Sequence, residues 1–219
     1  MQKEIKVEQL RKIGLDVSRE TINDLLFFEA ELFKWNKNIN LISDNTKNQI
    51  WERHILDSAQ LNKFIKIYNN VLDIGSGGGF PAIVLAILNK HNEGFKINLI
   101  EKLNKKCVFL QNIVARLKLP ATIHNMRIEE YKCDNLESIV ITSRAFTNLD
   151  NILTLTESFF KNSKCVAFLQ KGKNFQNEIV NAKKNWHFFM YIYNSKLQDG
   201  SVILKITDVR KLSSEKFNE

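Results

Sequence analysis

The run Val71-Leu72-Asp73-Ile74-Gly75-Ser76-Gly77-Gly78-Gly79-Phe80-Pro81 holds four of the chain's eight glycines and one of its two prolines. It sets an acid ahead of alternating glycines, Asp73-x-Gly75-x-Gly77-x-Gly79. A short apolar run precedes the turn and reads as a buried strand; a helix-forming run, Ala82 to Leu88, follows it. Strand, glycine turn and helix N-terminus together let a ligand approach bare backbone. A phosphate-cradling P-loop would need Gly-Lys and then Ser or Thr before its helix, and no such lysine is present. The dinucleotide fingerprint Gly-x-Gly-x-x-Gly can begin at Gly75 and Gly77, but its third glycine falls on Phe80. A tight turn without a ligand is the competing reading, and the acid and the strand–helix context weigh against it.

The elements that must position this loop come in two blocks. Up to residue 70 the pattern is helical. A short helix over 5–13 is stopped by Gly14, and Ser18 is placed to cap a longer helix that carries Ile22, Leu25, Leu26, Phe28, Leu32 and Phe33 at helical spacing. A second helix is expected from Gln49 to about Ile67. From residue 70 strands and helices alternate, with strands at 71–74, 96–100, 121–124, 138–143 and 165–170. Helices are expected at about 81–89, 103–118, 148–161 and 173–183. Two further strands, 187–193 and 201–207, flank a short loop with Asp199-Gly200 and read as an antiparallel pair. The expected fold is α/β: a doubly wound, mostly parallel, seven-stranded sheet with helices on both faces. Residues 1–69 are expected to form a helical extension packed on the 70–212 body, with 213–219 as a polar tail.

Ligands in such sheets bind outside the carboxyl ends of the strands. That rule selects Glu101 after the second strand, Arg127-Ile128-Glu129-Glu130 after the third, Ser143-Arg144-Ala145-Phe146 after the fourth and Lys171-Gly172 after the fifth. Glu101 can accept hydrogen bonds from sugar hydroxyls; as a bare surface charge it would simply face Lys102, Lys105 and Lys106. Arg53 and Asp57 stand four apart on a helix, where they can pair with each other or face a substrate.

The Asp73–Gly79 pattern resembles motif I of the S-adenosylmethionine-dependent methyltransferases with a Rossmann-like sheet. The likeness extends further through Trp35-Asn36-Lys37-x-x-Asn40-Leu41, Arg53-His54-Ile55-Leu56-Asp57-Ser58, the 73–81 loop, Arg127-x-Glu129-Glu130, Ser143-Arg144-Ala145-Phe146 and Lys171-Gly172, in that order. Together these blocks, spread over about residues 20–207, resemble the RsmG (GidB) family of bacterial methyltransferases. That resemblance implies methyl transfer from S-adenosyl-L-methionine to guanine N7 in 16S ribosomal RNA. It implies cofactor contacts at Gly75, Phe80, Ile128, Glu129 and Arg144, with Asp73, Gly77, Gly79 and Glu101 around them. Arg144 is then the first candidate for orienting cofactor or guanine, with Arg53, His54 and Lys171 behind it. Two positions depart from the family pattern: Ala82 stands where a glycine is frequent, and Gly200-Ser201-Val202-Ile203 lacks the usual basic residue before the final strand.

The implied chemistry fits what the chain lacks. Guanine N7 has a lone pair and no proton, so the transfer needs orientation rather than a general base. The Asn/Asp-Pro-Pro-aromatic run of exocyclic-amine methyltransferases is replaced by Ser143-Arg144-Ala145-Phe146. Carbon-5 enzymes need a nucleophilic cysteine at the carboxyl edge; Cys165 begins its strand and Cys107 falls within a helix. Cys107, Cys133 and Cys165 are odd in number and far apart, forming no disulfide framework or metal-ligand set.

Net charge is +8, and it is uneven: residues 1–70 carry 11 basic against 10 acidic side chains, and residues 71–219 carry 21 against 14. A basic body of this kind permits binding to nucleic-acid phosphates without establishing it. With no long apolar run or apolar leader, the expectation is a cytoplasmic monomer that meets 16S rRNA and neither membrane nor DNA. A methyltransferase of a non-RNA substrate, and a non-catalytic RNA-binding or assembly protein, remain as alternatives. His91, His124 and His187 read as ordinary histidines. Phe27, Phe28, Phe33 and Trp35 are expected to pack the N-terminal helices, and the lysines of 102–118 to form a solvated helix face.

Overall fold

A computed structural model of the chain describes residues 2–132, 138–161 and 164–212. Cys133 and the tail from Ser213 lie outside the described residues. Helix α1 (Gln2–Lys12) leads to α2 (Arg19–Trp35), whose N-terminus is capped as expected: the Ser18 side chain accepts a hydrogen bond from the Thr21 N–H at 3.0 Å. Helix α2 buries Ile22, Leu25, Phe28 and Leu32 on one side. Phe33 departs from the expectation. It follows buried Leu32 by one position, about 100° round the helix, and is 51% exposed.

The single helix expected over 49–67 is broken. A 3₁₀ segment (Asp44–Gln49) and a π-helical segment (Trp51–Leu56) precede two short helices, α3 (Asp57–Ala59) and α4 (Asn62–Ile65). Within the π-helical segment the Arg53 carbonyl accepts from the Arg144 guanidinium at 2.6 Å. A π-helical turn of this kind is rare and often marks a functional site.

The remaining chain alternates β1 (Asn70–Ile74), α5 (Ala82–Leu88), β2 (Lys96–Glu101), α6 (Asn104–Leu117), β3 (Ala121–Asn125), β4 (Val140–Arg144), α7 (Leu149–Phe160), β5 (Val166–Lys171) and α8 (Phe175–Ala182). It closes with β6 (Trp186–Asn194) and β7 (Val202–Lys211). The seven strands lie in the order β3-β2-β1-β4-β5-β7-β6. Strands β1 to β5 run parallel, β7 is antiparallel to β5, and β6 is antiparallel to β7. This is the doubly wound arrangement the sequence pattern predicts. Strand order reverses between β1 and β4, so a crevice opens at their carboxyl ends.

Two apolar layers cover the sheet. On one face Ile83 and Ile87 of α5, with Phe109 and Leu110 of α6, share a core with Leu10, Leu25, Phe28 and Leu32 of the N-terminal helices. On the other, Ile152, Leu153 and Phe159 of α7 pack with Ile179 of α8 and Trp186. A fully buried ring such as Phe28 contributes about 2–3 kcal/mol, so α2 is held to the sheet by several such contacts. Among the described residues no helix is long and apolar enough to cross a membrane.

Candidate active site

A cavity of about 650 Å³ lies at the crevice. The glycine turn forms its floor, β2 and β4 end beside it, and the segment Leu41–Thr46 with His54 closes it from the N-terminal side. Of the residues singled out in the sequence, Gly75, Gly77, Phe80, Glu101, Ile128, Glu129, Arg144 and His54 stand on its wall. Asp73, Gly79, Arg53 and Lys171 do not.

The turn owes its shape to two kinds of glycine. Gly75 has φ +67°, and a Cβ there would lie 2.2 Å from the Phe146 ring, so the aromatic ring rests on bare backbone. Gly79 has φ +91°, but its missing Cβ faces inward, 2.6 Å from Ile83 and 3.1 Å from Leu110. Gly79 therefore lets turn and helix pack closely.

Asp73 lies beneath the turn and does not line the cavity. It is fully buried, its Oδ1 accepts from the Thr142 hydroxyl at 2.7 Å, and it ties β1 to β4 under the turn. Burial pushes its carboxyl up to about 7; the Ser76 and Thr142 hydrogen bonds oppose this and the nearby Glu101 charge adds to it. Glu101 stands at the rim. Its Oε2 accepts from the Gly77 N–H at 2.9 Å and its Oε1 from the Leu103 N–H at 2.8 Å. Each oxygen keeps a second lone pair for a ligand hydroxyl.

Arg144 organises the opposite wall. Its Nε donates to Asp57 Oδ2 at 2.9 Å, its Nη1 to His54 Nδ1 at 2.7 Å, and its Nη2 to the Arg53 carbonyl at 2.6 Å. Three of five guanidinium N–H groups are thus fixed, leaving two for other acceptors. Because His54 Nδ1 accepts, its proton sits on Nε2, which donates to Thr46 Oγ1 at 2.9 Å. Burial first, then the charges of Arg144 and Arg53, push the imidazole down to about 3, so it is neutral. Burial raises Asp57, opposed by Arg144, Gln60 and Arg53. The sequence left Arg53 either to pair with Asp57 or to face a substrate; in the structure the ion pair of Asp57 is with Arg144, and the Arg53 carbonyl accepts from that guanidinium. Ala145, next to Arg144, holds φ +52°, a conformation that costs roughly 1 kcal/mol or more for a non-glycine residue and recurs at functional sites.

A second cavity of about 230 Å³ lies on the other side of Arg144 and Ala145, lined by Asp57, Gln60, Gln170, Lys171 and Ser195 among others. Lys171 is committed there: its Nζ donates to Glu178 Oε2 at 2.7 Å and to the Thr147 carbonyl at 2.8 Å. Burial lowers its pKa, and Glu178 opposes the shift. This is wall chemistry and not a free ammonium at the larger cavity. Gln170 Nε2 donates to the Asp57 carbonyl, and the Gln198 amide to that of Arg53, so the β6–β7 connection reaches the site. The sequence flagged Phe146 only as part of the block that ends β4, and gave Ser195 and Gln198 no role at the site.

Both described thiols are buried, pushed by burial up to about 11 at Cys107 and about 12 at Cys165, and neither lines a cavity. His91 meets Glu20 and His124 meets Asn98, away from the crevice. Among the described residues no group of three or more His, Cys, Asp or Glu is placed to hold a metal ion.

Residues 21–199 match the family model described as rRNA small subunit methyltransferase G. Ribosomal RNA small subunit methyltransferase G of Bartonella henselae is 44% identical over 207 residues, covering 94% of this chain and 96% of that protein. Its counterpart in Brucella anthropi is 42% identical over 212 residues, covering 96% and 99%. Among solved structures, magnesium protoporphyrin IX methyltransferase of Synechocystis, with bound S-adenosylmethionine, superposes with a TM-score of 0.55 at 12% identity, over 89% of this chain and 98% of that one. At that identity the likeness concerns the fold.

Proposed function

That the chain belongs to the rRNA small subunit methyltransferase G family is the premise from which we propose its reaction: transfer of a methyl group from S-adenosylmethionine to N7 of a guanine in 16S ribosomal RNA. The observation that carries the reading is Arg144, fixed by three partners on the wall between a glycine-floored cavity and a second, polar one.

S-adenosylmethionine, when bound, supplies a methyl group on a positively charged sulfur. The residues present fit it. Bare backbone at Gly75 and Gly77 admits the amino-acid portion, Glu101 offers lone pairs to ribose hydroxyls, and Ile128 with Glu129 borders the far end of the cavity. The guanine would enter from the side of the smaller cavity. N7 already presents a lone pair, so the site has only to align it. An Arg144 donor on N7 would block attack; its two remaining N–H groups suit guanine O6 or a phosphate. Asp57 and His54 act as positioning residues for that guanidinium.

The test is mass mapping of 16S rRNA from cells lacking this chain, with and without its restoration. One 7-methylguanosine should vanish and return, and should fail to return with Gly75→Arg. An unchanged methylation pattern would sink the guanine assignment.

A further inference from the structure

Some cations among the described residues are matched to acids: Lys90 meets Glu20 and Asp24, Arg144 meets Asp57, and Lys171 meets Glu178. One face at the β6 edge instead groups lysines with aromatic rings. Tyr191 and Lys205 are cross-strand partners, with the Lys205 ammonium 5.7 Å from the tyrosine ring. Two residues along, on the same face, Tyr193 packs at 4.6 Å on Phe64, and Lys63 lies 4.4 Å from Phe64 and 5.8 Å from Tyr193. Burial, and then the charge of Lys196, push the Lys63 ammonium below its ordinary value. Among the described residues none of Lys63, Lys196 and Lys205 has an ion-pair partner. Two residues the other way, Phe189 is 58% exposed, and Tyr191 is 60% exposed.

Lys63, Lys196 and Lys205 lie on α4, after β6 and on β7, so none of them guards the edge strand β6 itself against pairing with another chain. Exposed Phe189 and Tyr191 on that edge do the reverse of guarding it, so guarding does not account for the face. Like charges held together are costly unless an anion joins them, and an exposed aromatic face gains from being covered. Phosphates alternating with flat bases satisfy both demands at once. The face is also continuous with the site. The Lys196 N–H donates to Gln60 Oε1, and Gln60 Nε2 donates to Asp57 and to Ser195, all on the wall of the smaller cavity.

We propose that the face running from Lys196 and Lys63, past Tyr191 and Lys205, to Phe189 docks a single-stranded stretch of the RNA substrate, with the lysines on phosphates and the exposed rings under bases. The proposal rests on the rRNA reading above. It also places the RNA contact that the sequence lacks at Ser201 on neighbouring elements instead.

The experiment uses the full chain and a 16S rRNA transcript, measuring RNA affinity across salt, KM and kcat for methyl transfer, and affinity for S-adenosylmethionine. Phe189→Ala with Tyr191→Ala should weaken RNA binding about a hundredfold, the loss of two base stacks. Lys63→Gln, Lys196→Gln and Lys205→Gln together should flatten the slope of log affinity against log salt by about 2. In both variants kcat and cofactor affinity stay at the wild-type level, and Lys205→Arg keeps the wild-type slope. Unchanged RNA affinity and slope in folded variants overturns the proposal. So does a defect seen only on assembled subunits and not on naked RNA, which would make the face a protein contact. If the wild-type chain binds RNA with patch-dependent affinity but leaves N7 unmethylated, the docking face stands and the reaction proposed above is what fails.

Discussion

Asp57 and Arg144, 87 positions apart, meet at 2.9 Å with side chains only 8% and 16% exposed. One belongs to the N-terminal helices and the other to the end of β4, so a single ion pair clamps two parts of the chain across the candidate site.

Removing one partner of such a pair leaves a buried charge unmatched. Asp57→Ala should destabilise the fold by about 3–5 kcal/mol and lower kcat, because Arg144 loses its anchor. Asp57→Ala with Arg144→Ala should cost less than the two single changes added together. Urea unfolding of the four proteins measures this, and strict additivity would show that the pair is uncoupled.

His54 is held neutral, with its pKa lowered to about 3, so it carries no charge through the range where histidines ordinarily titrate. The kcat profile between pH 5 and 8 should therefore be the same in the wild type and in His54→Gln, although the variant is slower throughout. A step near pH 6.5 in the wild type that is absent from the variant would contradict this.

Asp73 works in the opposite sense to an acid held ionised by a salt bridge. Its folded pKa is raised to about 7 from the ordinary 3.8. Between those values the folded state binds the extra proton, so stability falls as pH rises from about 4 to 7, by up to on the order of 4 kcal/mol. Asp73→Asn lacks that slope. Denaturant unfolding at pH 4.5 and 7.5 should show the wild type losing ground against the variant, and parallel pH profiles would refute the assignment.

Gly75 and Gly79 should separate under the same substitution. Gly75→Ala drives a methyl into the Phe146 ring at the cavity floor and should weaken S-adenosylmethionine binding at least tenfold by calorimetry. Gly79→Ala drives one into Ile83 and should cost about 1–3 kcal/mol of stability with cofactor affinity kept in the folded fraction. Equal effects on affinity would erase the distinction.

What the sequence made legible is what is local. Alternating strands and helices are written in short-range apolar spacing, and the glycine turn is a contiguous run, so the sheet and the cavity floor could be read directly. Contacts set by tertiary geometry could not. Helical spacing allows Asp57 to pair with Arg53, but the fold delivers Arg144, and the same guanidinium meets the Arg53 carbonyl in a stretch that the apolar pattern makes one continuous helix. The glycine motif has no direction, so it cannot tell Gly75, which faces a ring at the cavity, from Gly79, which faces Ile83. Lys171 sits where a strand-end lysine meets ligands, yet Glu178, one turn into the next helix, holds its ammonium. Ser195 and Gln198 join the wall through Gln60 and Arg53, more than a hundred residues earlier, with no local mark at all.

The two cavities also differ in when their walls come into existence. Every residue lining the larger one falls between Leu41 and Leu155, whereas the smaller one draws on Ser195 to Ile203 as well. Synthesis proceeds from the N-terminus at about 5–20 residues per second, so the glycine-floored pocket has all its parts several seconds before its neighbour does. A nascent chain halted short of β6 would own one chamber complete and the other missing a side.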